Sequence, residues 1–372
     1  MNIIIDLTVI RNKKQITGIE RVAIESTKQL LTYLKNKSYK VFILCSKMGF
    51  EIAKDELTNI KDFEKLIFKK SPFFNRIATD QIWLPLIINK LKPKFVYFTT
   101  LGVPLFNRYP FYFIIHDAVA WAMPETTSKG MKLYYKPLIA FAVKKKNLKK
   151  IFTVSHFSKK EIIKYLHVDN EKIAVNYLGV KKIPVTEIKL VTNVSNKGCM
   201  DYIVTLGTLE PRKNLQNLIN AFTILKSRYN YKGKLVVIGR KGWSGDLNIQ
   251  DENNGNIVFT GFLEEKKMLD VLKKAKVYVF PSLYEGFGLP LIEAMALGVP
   301  IASSNRASLP EIGGNACLYF DPYKPEDMAE KINELLNSDS KREELKKKGF
   351  EIVKKYTWDA HRKTLISTMF EE

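Results

Sequence analysis

The chain has 372 residues, of which 46% are hydrophobic and 26% charged, and its formal net charge is +22. This length exceeds what one hydrophobic core usually supports, so we expect two domains, and the composition argues against an intrinsically disordered chain. Three cysteines, far apart and without C-x-x-C spacing, argue against a disulfide framework or a zinc site and suit a reducing cytoplasm.

The positive charge is concentrated in the first half of the chain. Residues 1–182 contain 33 Lys and Arg against 14 Asp and Glu, whereas residues 183–372 contain 27 against 24. The cluster "KKKNLKK" at 144–150 stands among apolar and aromatic residues, a mixture that suits an anionic lipid surface or a polyphosphate partner. A solvated basic face is the plainer interpretation, because charge runs usually mean no more than that.

The first ten residues, "MNIIIDLTVI", carry Asp6 and lack both the basic region and the length of a signal peptide, so they predict a first β-strand. No apolar run approaches the roughly 18 to 20 residues that a spanning helix requires. We therefore expect a soluble or membrane-peripheral protein.

Short apolar runs, each followed by a helix-like segment, continue along the chain. In the first half they read "KVFILCS", "FVYFTT", "FYFIIHD", "KIFTVS" and "IAVNYLGV". In the second half they read "DYIVTLGT", "KLVVIGR", "NIVFTGF", "VYVFPS", "VPIASS" and "CLYFDP". Such β-branched and aromatic runs are typical of parallel strands covered on both faces. The alternation predicts an α/β protein with two doubly wound, Rossmann-like domains.

The domain boundaries follow from a stretch without helical period, "KKIPVTEIKLVTNVSNKG", at 181–198. We predict an N-terminal domain, a linker, a C-terminal domain and a final helix at 1–182, 183–200, 201–355 and 356–372. Helical spacing near the C-terminus breaks at Gly349 and again around 356–358. The last helix is expected to pack back on the N-terminal domain.

Polar residues directly after the apolar runs are the candidates for chemistry, because ligands of open parallel sheets bind beyond the carboxyl ends of the strands. His116 and Asp117 follow "YFII", and Arg212 and Lys213 follow "IVTLGT". All would meet at one cleft. By its position alone, His116 is as readily a structural histidine as a functional one.

In "LGTLEPRKNLQNLINAF", two cations precede an amphipathic helix for which Asn214 is the predicted N-cap. Arg212 offers a bidentate fork and Lys213 a point charge beside outward-pointing amides, which together suit a diphosphate. A solvated loop pair is the alternative.

The stretch "PSLYEGFGLPLIEAMALGVP" predicts a strand end, a glycine-bearing turn and a helix with Pro290 in its first turn and Gly298 at its end. Glu293 is expected in the first turn, where an acid interacts favourably with the helix dipole. Glu285 precedes two glycines that allow close approach of a ligand, and its carboxylate could bind hydroxyls of a polyol.

These segments resemble the E-x7-E motif and flanking motifs of the GT-4 family of retaining nucleotide-sugar glycosyltransferases, which have the GT-B fold. "TVSHFSKKEIIKYL", "LGTLEPRKN", "FTGFLEE" and the long stretch from "YVFPSLYEGFGLP" to "LYFDP" match in order over most of 150–325. "TLEPRKN", "GRKGW" and "SLPEIGG" are most similar to the mannosyltransferase-like branch, associated with bacterial surface polysaccharides. The first domain matches less closely, as expected of an acceptor domain.

The resemblance implies roles for individual residues. Arg212 and Lys213 would hold the donor diphosphate, Glu293 the ribose, and Glu285 the hydroxyls of the donor sugar. His116 would reach the donor sugar from the other domain.

The remaining implied donor contacts are made mostly by backbone. Residues near Gly261 and Phe262 would bind the base, and Gly18 in "ITGIERV" would lie in the loop after the first strand, which lacks the paired glycines common in the family. Amides that would reach the sugar or phosphates belong to Phe287, Gly288 and Leu289.

The implied chemistry is retaining transfer without a metal, since no two aspartates are spaced D-x-D, and without a cofactor. Negative charge builds on the departing diphosphate, so preorganised cations lower the barrier directly. The donor expected is a nucleotide sugar, with GDP-mannose favoured and a UDP-sugar as the alternative.

The expected function is transfer of a hexose, mannose favoured, to a glycan or lipid-linked acceptor for a bacterial surface polysaccharide such as lipopolysaccharide. The protein would be cytoplasmic and peripheral to the inner membrane, with an anionic membrane surface as a partner and no nucleic acid. Two alternatives stay open: a nicotinamide-dependent oxidoreductase, disfavoured by the missing G-x-G-x-x-G, and a basic nucleic-acid-binding protein.

Overall fold

The computed structural model describes residues 1–11, 16–58, 60, 63–180, 201–207, 210–240 and 255–371. The chain forms two compact units, one containing Met1–Gly179 and Trp358–Glu372 and the other containing Val180–Thr357. The linker predicted at 183–200 lies outside the described residues.

The first unit contains a seven-stranded sheet in the order β3-β2-β1-β4-β5-β6-β7, with every pair of neighbours parallel. Its strands are β1 (Asn2–Leu7), β2 (Lys40–Cys45), β3 (Leu66–Lys70), β4 (Phe95–Phe98), β5 (Phe111–Ile114), β6 (Leu148–Thr153) and β7 (Ile173–Val175). The α-helices among the described residues of Met1–Gly179 are α1 (Gly18–Leu34), α2 (Phe50–Thr58), α3 (Arg76–Ala78), α4 (Leu84–Leu91), α5 (Val119–Ala122), α6 (Lys136–Ala142) and α7 (His156–Leu166).

Two π-helical turns extend these helices. Thr79–Trp83 joins α3 to α4, and Met131–Tyr135 leads into α6, so the backbone is helical over 76–91 and 131–142. Each π turn inserts one residue relative to an α-helical turn, so residues five apart across it share a face.

The first sheet is buried on both faces because successive side chains of a strand point to opposite sides. Ile3 and Ile5 of β1 pack in one hydrophobic cluster with α1, whereas Ile4 packs in another with Leu84 and Ile88 of α4. This arrangement explains why the strands have near-continuous apolar sequences.

The second unit contains a six-stranded parallel sheet in the order β10-β9-β8-β11-β12-β13. Its strands are β8 (Tyr202–Leu206), β9 (Lys234–Ile238), β10 (Ile257–Gly261), β11 (Val277–Phe280), β12 (Ile301–Ser304) and β13 (Cys317–Phe320). Its helices within the described residues are α8 (Leu215–Ser227), α9 (Glu265–Lys274), α10 (Leu289–Ala296), α11 (Leu309–Gly313), α12 (Pro325–Asn337) and α13 (Asp339–Val353).

The predicted doubly wound α/β fold is confirmed in both units, and each predicted apolar run forms a strand. The half-exposed strand β3 was not predicted, because its sequence "LIFKK" ends in two lysines. The helix break predicted at Gly349 is wrong: α13 continues through it, and a Cβ there would lie 3.3 Å from Cγ of Met295. The glycine therefore allows close packing rather than ending the helix.

A last helix, α14 (Trp358–Phe370), belongs to the first unit and packs on α1. Leu365 and Met369 complete the cluster on that face of the sheet, and the ring of Phe370 lies 5.0 Å from that of Tyr33 and 5.6 Å from that of Phe95. None of the helices in the described part of the chain combines the length and the hydropathy that a membrane span requires.

His361 of α14 is the polar centre of this contact. Its Nδ1 lies 2.9 Å from the carbonyl oxygen of Tyr177, which can only accept, so Nδ1 carries the proton. Its Nε2 accepts from Ser26 Oγ at 2.9 Å and from Asn176 Nδ2 at 3.3 Å. Burial lowers the pKa of His361; the hydrogen bond to Tyr177 acts against burial, the nearby His116 acts with it, and together they bring the pKa to about 4. The network thus requires a neutral imidazole.

The stability of the first unit should therefore depend on pH. The unfolded imidazole has a pKa near 6.5, so the folded state binds fewer protons; the stability is complete above pH 6.5 and is lost as the pH falls toward 4. Between pH 7 and pH 5 we expect the free energy of unfolding to drop by on the order of 2 kcal/mol through His361. Urea denaturation of the wild type and of His361→Gln at both pH values measures this, the variant showing the smaller drop.

The control variant is His167→Asn, since His167 is exposed and adopts a left-handed conformation that asparagine tolerates. It should keep the pH dependence of the wild type. An unchanged pH dependence in His361→Gln would contradict the assigned role.

Candidate active site

Two neighbouring strands of the second sheet, β8 and β11, mark the point where the strand order reverses. The segment after β8 carries Arg212 and Lys213, and the loop after β11 carries Glu285. Ligands of open parallel sheets bind at such switch points, beyond the carboxyl ends of the strands. The fold therefore places three of the predicted site residues where the topology favours a ligand.

These three residues and Glu210 form an ion cluster. Lys213 Nζ lies 2.6 Å from Oε1 of Glu285, and Arg212 Nη1 lies 3.2 Å from Oε2 of the same carboxylate. Arg212 also donates from Nε to Oε2 of Glu210 at 2.8 Å. The formal charges of the cluster sum to zero, so an incoming anion must compete with the two carboxylates for the cations.

The pKa values reflect this arrangement. Burial alone would raise the pKa of Glu285, but the charges of Lys213 and Arg212 outweigh it and lower the pKa to about 2. Burial acts in the other direction on Lys213 and lowers the pKa of its ammonium group. The neighbouring charge of Glu285 acts against this burial and favours the charged form of the lysine.

Two glycines shape the cluster. Gly207, at the end of β8, has a φ of 151°, and a Cβ there would lie 3.1 Å from Cδ and Cε of Lys213. Gly288, directly before α10, has a φ of 97°, and a Cβ there would lie 3.0 Å from Cδ2 of Leu309. Glycine thus lets the lysine cross the strand end and lets the loop turn into the helix.

The amides predicted to reach the donor lie at this turn. Helix α10 begins at Leu289, and the N-terminal end of a helix attracts anions through N–H groups that lack an intrahelical acceptor. Pro290 has no N–H and the amide of Leu291 donates to the carbonyl oxygen of Gly288 at 2.8 Å, so Leu289 is the residue of the first three whose N–H can serve a ligand. Gly288 and the buried Phe287 immediately precede it, and Pro290 occupies the first turn as predicted.

Two details of the helix termini differ from the predictions. Glu293 is the fifth residue of α10 and lies in its second turn, so the helix dipole, which acts within the first turn, does not account for this buried carboxylate. Asn214 stands at the start of α8 in a left-handed conformation, and its side chain does not cap the helix.

The side-chain amide of Asn214 instead links the segments that form the site. Its Nδ2 donates to the carbonyl oxygens of Pro281 at 3.1 Å and Pro322 at 2.7 Å, which ties the start of α8 to the loop after β11. Ser308, which the sequence did not single out, donates to the backbone oxygens of Glu285 at 2.9 Å and Phe287 at 3.1 Å. The sequence signal for this role of Ser308 is weak: it is a serine directly before a short helix.

A second group of residues lies at the carboxyl ends of β9 and β10. Gly261 has a φ of 67°, and its carbonyl oxygen accepts from the amide of Gly239 at 3.1 Å. The half-exposed ring of Phe262 lies 4.9 Å from the guanidinium carbon of Arg240. Arg240, which was not predicted as a site residue, offers with Phe262 an aromatic face and a cation near which a base could stack.

The remaining predicted residues lie at the carboxyl edge of the first sheet. His116 follows β5, its Nε2 is inaccessible to solvent and has no hydrogen-bond partner among the described residues, and burial lowers its pKa to about 4. Gly18 is the first residue of α1, which Thr17 and Glu20 cap reciprocally. A Cβ at Gly18 would meet nothing within 4 Å, so packing does not require glycine there.

No cluster of three or more His, Cys, Asp or Glu side chains within the described ranges could hold a metal ion. Cys45 and Cys317 are free and buried, and burial raises the pKa of Cys317 to about 12. Cys199 lies outside the described residues.

Two family models match the chain. The model described as "Glycosyl transferases group 1" matches residues 194–352, which include the ion cluster, and "Glycosyltransferase Family 4" matches residues 17–182.

Among curated proteins, the chain is similar to O-antigen chain mannosyltransferase B of Escherichia coli, with 31% identity over 66% of each chain. It is 29% identical to the O-antigen chain mannosyltransferase RfbU of Salmonella typhimurium over 56% of each chain. A serotype-specific mannosyltransferase of E. coli, WbdA, is 27% identical over 56% of this chain and 27% of its own. The chain thus spans about two thirds or less of these relatives.

Among solved structures, the Anabaena protein HepE in complex with UDP and glucose has a TM-score of 0.73 and 15% identity, with both chains covered completely. Sucrose-phosphate synthase from Thermosynechococcus elongatus has a TM-score of 0.71 and 16% identity, covering 98% of this chain and 97% of its own. At these identities the likeness concerns the fold.

The ion cluster should be a measurable source of stability. Glu285→Gln leaves Lys213 without its counter-charge, so we expect the free energy of unfolding of the second unit to fall by about 3 kcal/mol at pH 7. In the wild type this stabilisation is present above pH 4.5 and is lost as the pH falls toward 2, because the folded pKa of Glu285 is the lower one. Chemical denaturation measures both effects.

Glu351→Gln is the matched control, because Glu351 forms an exposed ion pair with Lys354 in the same unit. Its effect should stay within about 0.5 kcal/mol. Equal changes in the free energy of unfolding for the two substitutions would show that the ion cluster stabilises the unit no more than an exposed ion pair does.

Proposed function

The chain belongs to the family 4 glycosyltransferases and has the GT-B fold, and on that premise we propose that it transfers a hexosyl group from a nucleoside-diphosphate sugar to a glycan or lipid-linked acceptor with retention of configuration. The observation that carries the proposal is the ion cluster at the switch point of the second sheet. It combines cations for a diphosphate with a carboxylate for hydroxyl groups, at adjoining positions.

Donor binding rearranges this cluster in our proposal. The diphosphate oxygens replace Glu285 as the partner of Arg212 and Lys213, and the bidentate fork of arginine suits them. The released carboxylate of Glu285 then accepts hydrogen bonds from hydroxyls of the donor sugar. Glu293 binds the ribose, while the base lies near Gly261 and Phe262.

In this proposal the chemical step depends mainly on positive groups placed beside the departing diphosphate. The bond between the anomeric carbon and the diphosphate oxygen breaks, and its electron pair leaves with the diphosphate. The acceptor hydroxyl oxygen bonds to the same face of the anomeric carbon, and its proton passes to the departing phosphate. Arg212 and Lys213 stabilise the growing negative charge, as do the amides of Gly288 and Leu289 at the α10 terminus.

In this proposal the first unit binds the acceptor. His116, kept neutral by burial, reaches the donor sugar as a hydrogen-bonding group, and Gly18 leaves space for close approach of a substrate. The acceptor is part of a bacterial surface polysaccharide, and the protein works in the cytoplasm at the inner membrane, peripheral to an anionic lipid surface.

Mannose is the favoured sugar because the curated relatives are mannosyltransferases of O-antigen chains, and GDP-mannose is the corresponding favoured donor. The UDP and glucose in the HepE structure keep a UDP-sugar as the alternative. The oxidoreductase and nucleic-acid-binding alternatives receive no support from these relatives.

Glu285→Gln should separate diphosphate binding from transfer. Removing the competing carboxylate frees Lys213 and Arg212, so GDP or UDP should bind at least as tightly as to the wild type, whereas transfer should fall by about a hundredfold or more because the sugar is no longer held. Calorimetric titration with the nucleotide and a transfer assay measure the two effects. Loss of nucleotide binding together with transfer would contradict the proposed exchange of partners.

Lys213→Met is the complementary variant, and Lys331→Met, at a lysine on α12 of the same unit, is its control. Only Lys213→Met should weaken nucleotide binding, by about tenfold or more, because it removes a charge-assisted contact.

A thermal-shift panel of GDP-mannose, UDP-glucose and ADP-glucose identifies the donor, since the bound nucleotide sugar raises the apparent stability.

His116→Asn should keep donor binding and lose transfer. Because His116 is proposed to touch the sugar rather than the diphosphate, the affinity for the nucleotide should stay within about twofold while kcat falls by about a hundredfold. The exposed His156, replaced by Asn, is the control. Unchanged transfer by His116→Asn would remove this residue from the mechanism.

A further inference from the structure

Three neighbouring segments of the first unit expose large apolar side chains. They are the helical segment 76–91, the loop 104–108 and the helical segment 131–142, which we name together the apolar-basic surface. Its exposed apolar residues are Ile77, Ile82, Leu86, Leu105, Phe106, Leu133 and Phe141.

The two helical segments present these residues as stripes. In the first, Ile77 and Ile82 lie five residues apart across the π-helical turn, and Leu86 follows one α-helical turn later, with 53%, 51% and 65% of their surfaces exposed. In the second, Leu133 and Phe141 lie eight apart on either side of the exposed Pro137, at 80% and 50% exposure. Both stripes are solvent-facing sides of helices that bury their opposite sides.

Hydrogen bonds hold the three segments side by side. Gln81 donates from Nε2 to the hydroxyl of Tyr134 at 3.0 Å and accepts from the amide of Leu105 at 3.0 Å. Lys145, just beyond the second helix, donates from Nζ to the carbonyl oxygens of Leu105 and Asn107. The exposed residues beside these partners, including Phe106 at 77% exposure, therefore lie on segments that contact one another directly.

The charge on this surface and on the residues that flank it has one sign. Residues 76–92, 104–108 and 129–147 contain ten Lys and Arg and a single acidic residue, Asp80. Asp80 is fully buried and paired with Arg76 at 2.6 Å, so it contributes no exposed negative charge. Monomeric proteins rarely leave large apolar side chains contiguous on their surface without a partner, and here the partner must also tolerate many cations.

We propose that the apolar-basic surface docks this protein on an anionic phospholipid bilayer. Its isoleucine, leucine and phenylalanine side chains enter the boundary between headgroups and acyl chains, while its lysines pair with lipid phosphates. A nucleic acid would use the cations but leave the aliphatic residues exposed, which favours the lipid. The inference deepens the proposed membrane-linked function by naming the surface, and it does not depend on the transfer reaction.

Vesicle sedimentation with the full-length protein tests the apolar contribution. The wild type should bind vesicles of phosphatidylglycerol and phosphatidylcholine more tightly than pure phosphatidylcholine. Leu133→Asp combined with Phe106→Asp should weaken that binding by at least about tenfold, because two side chains that would leave water are replaced by anions. Tyr323→Asp, at an exposed aromatic residue of the second unit, is the control and should bind as the wild type.

A second pair of variants tests the charge. Lys132, Lys144 and Lys146 changed together to Gln should reduce binding and flatten its dependence on salt, whereas the same change at Lys346, Lys347 and Lys348 of α13 should do neither. The variants remove equal charge, so net charge alone cannot explain a difference.

Three outcomes would overturn the proposal. The wild type could bind neutral and anionic vesicles equally, the surface variants and their controls could lose vesicle binding to the same extent, or both surface variants could bind vesicles as the wild type does. Self-association in ultracentrifugation that Leu133→Asp abolishes without affecting vesicle binding would assign the surface to a second copy instead. GDP or UDP binding, measured on the same variants, should stay unchanged, so failure of the docking surface is distinguishable from failure of the transferase function.

Discussion

The arrangement of the second unit depends on one constraint: a carboxylate and two cations must be held together at the end of a sheet where water is largely excluded. Glu285 lies between Lys213 and Arg212, and each group there would be costly to bury alone. Two loops bring these charges together. Their conformation depends on Gly207, on Gly288 and on the hydrogen bonds of the Asn214 side-chain amide. In a site balanced in this way one anion can replace another.

Much of the fold follows from local sequence. The β-branched and aromatic runs predict strands because a parallel sheet covered on both faces leaves few positions for polar side chains. The same reasoning misses β3, whose lysines are tolerated at the edge of the first sheet. It also misplaces Glu293, since the start of α10 is fixed by the positive φ of Gly288, and a dihedral angle is not apparent from residue spacing.

The candidate site is less accessible to sequence reasoning, because its contacts join distant parts of the chain. Lys213 and Glu285 are 72 residues apart, and the sequence alone marks each as a strand-end charge without showing that they pair. Arg240 and Ser308 contribute through a ring contact and through backbone hydrogen bonds that no motif encodes. The family resemblance implies the roles of the predicted residues, whereas the structure shows which of them contact one another.

The path of the chain between the two units has a consequence for biosynthesis. The first unit is interrupted by the whole of Val180–Thr357 and is completed by α14, whose Leu365, Met369 and Phe370 close one side of its core. During translation, the N-terminal segment emerges with that apolar face uncovered, while the second unit can finish folding first. The apolar face of the first unit therefore stays uncovered until α14 has been synthesised, and loss of α14 would damage the core that Met1–Gly179 builds.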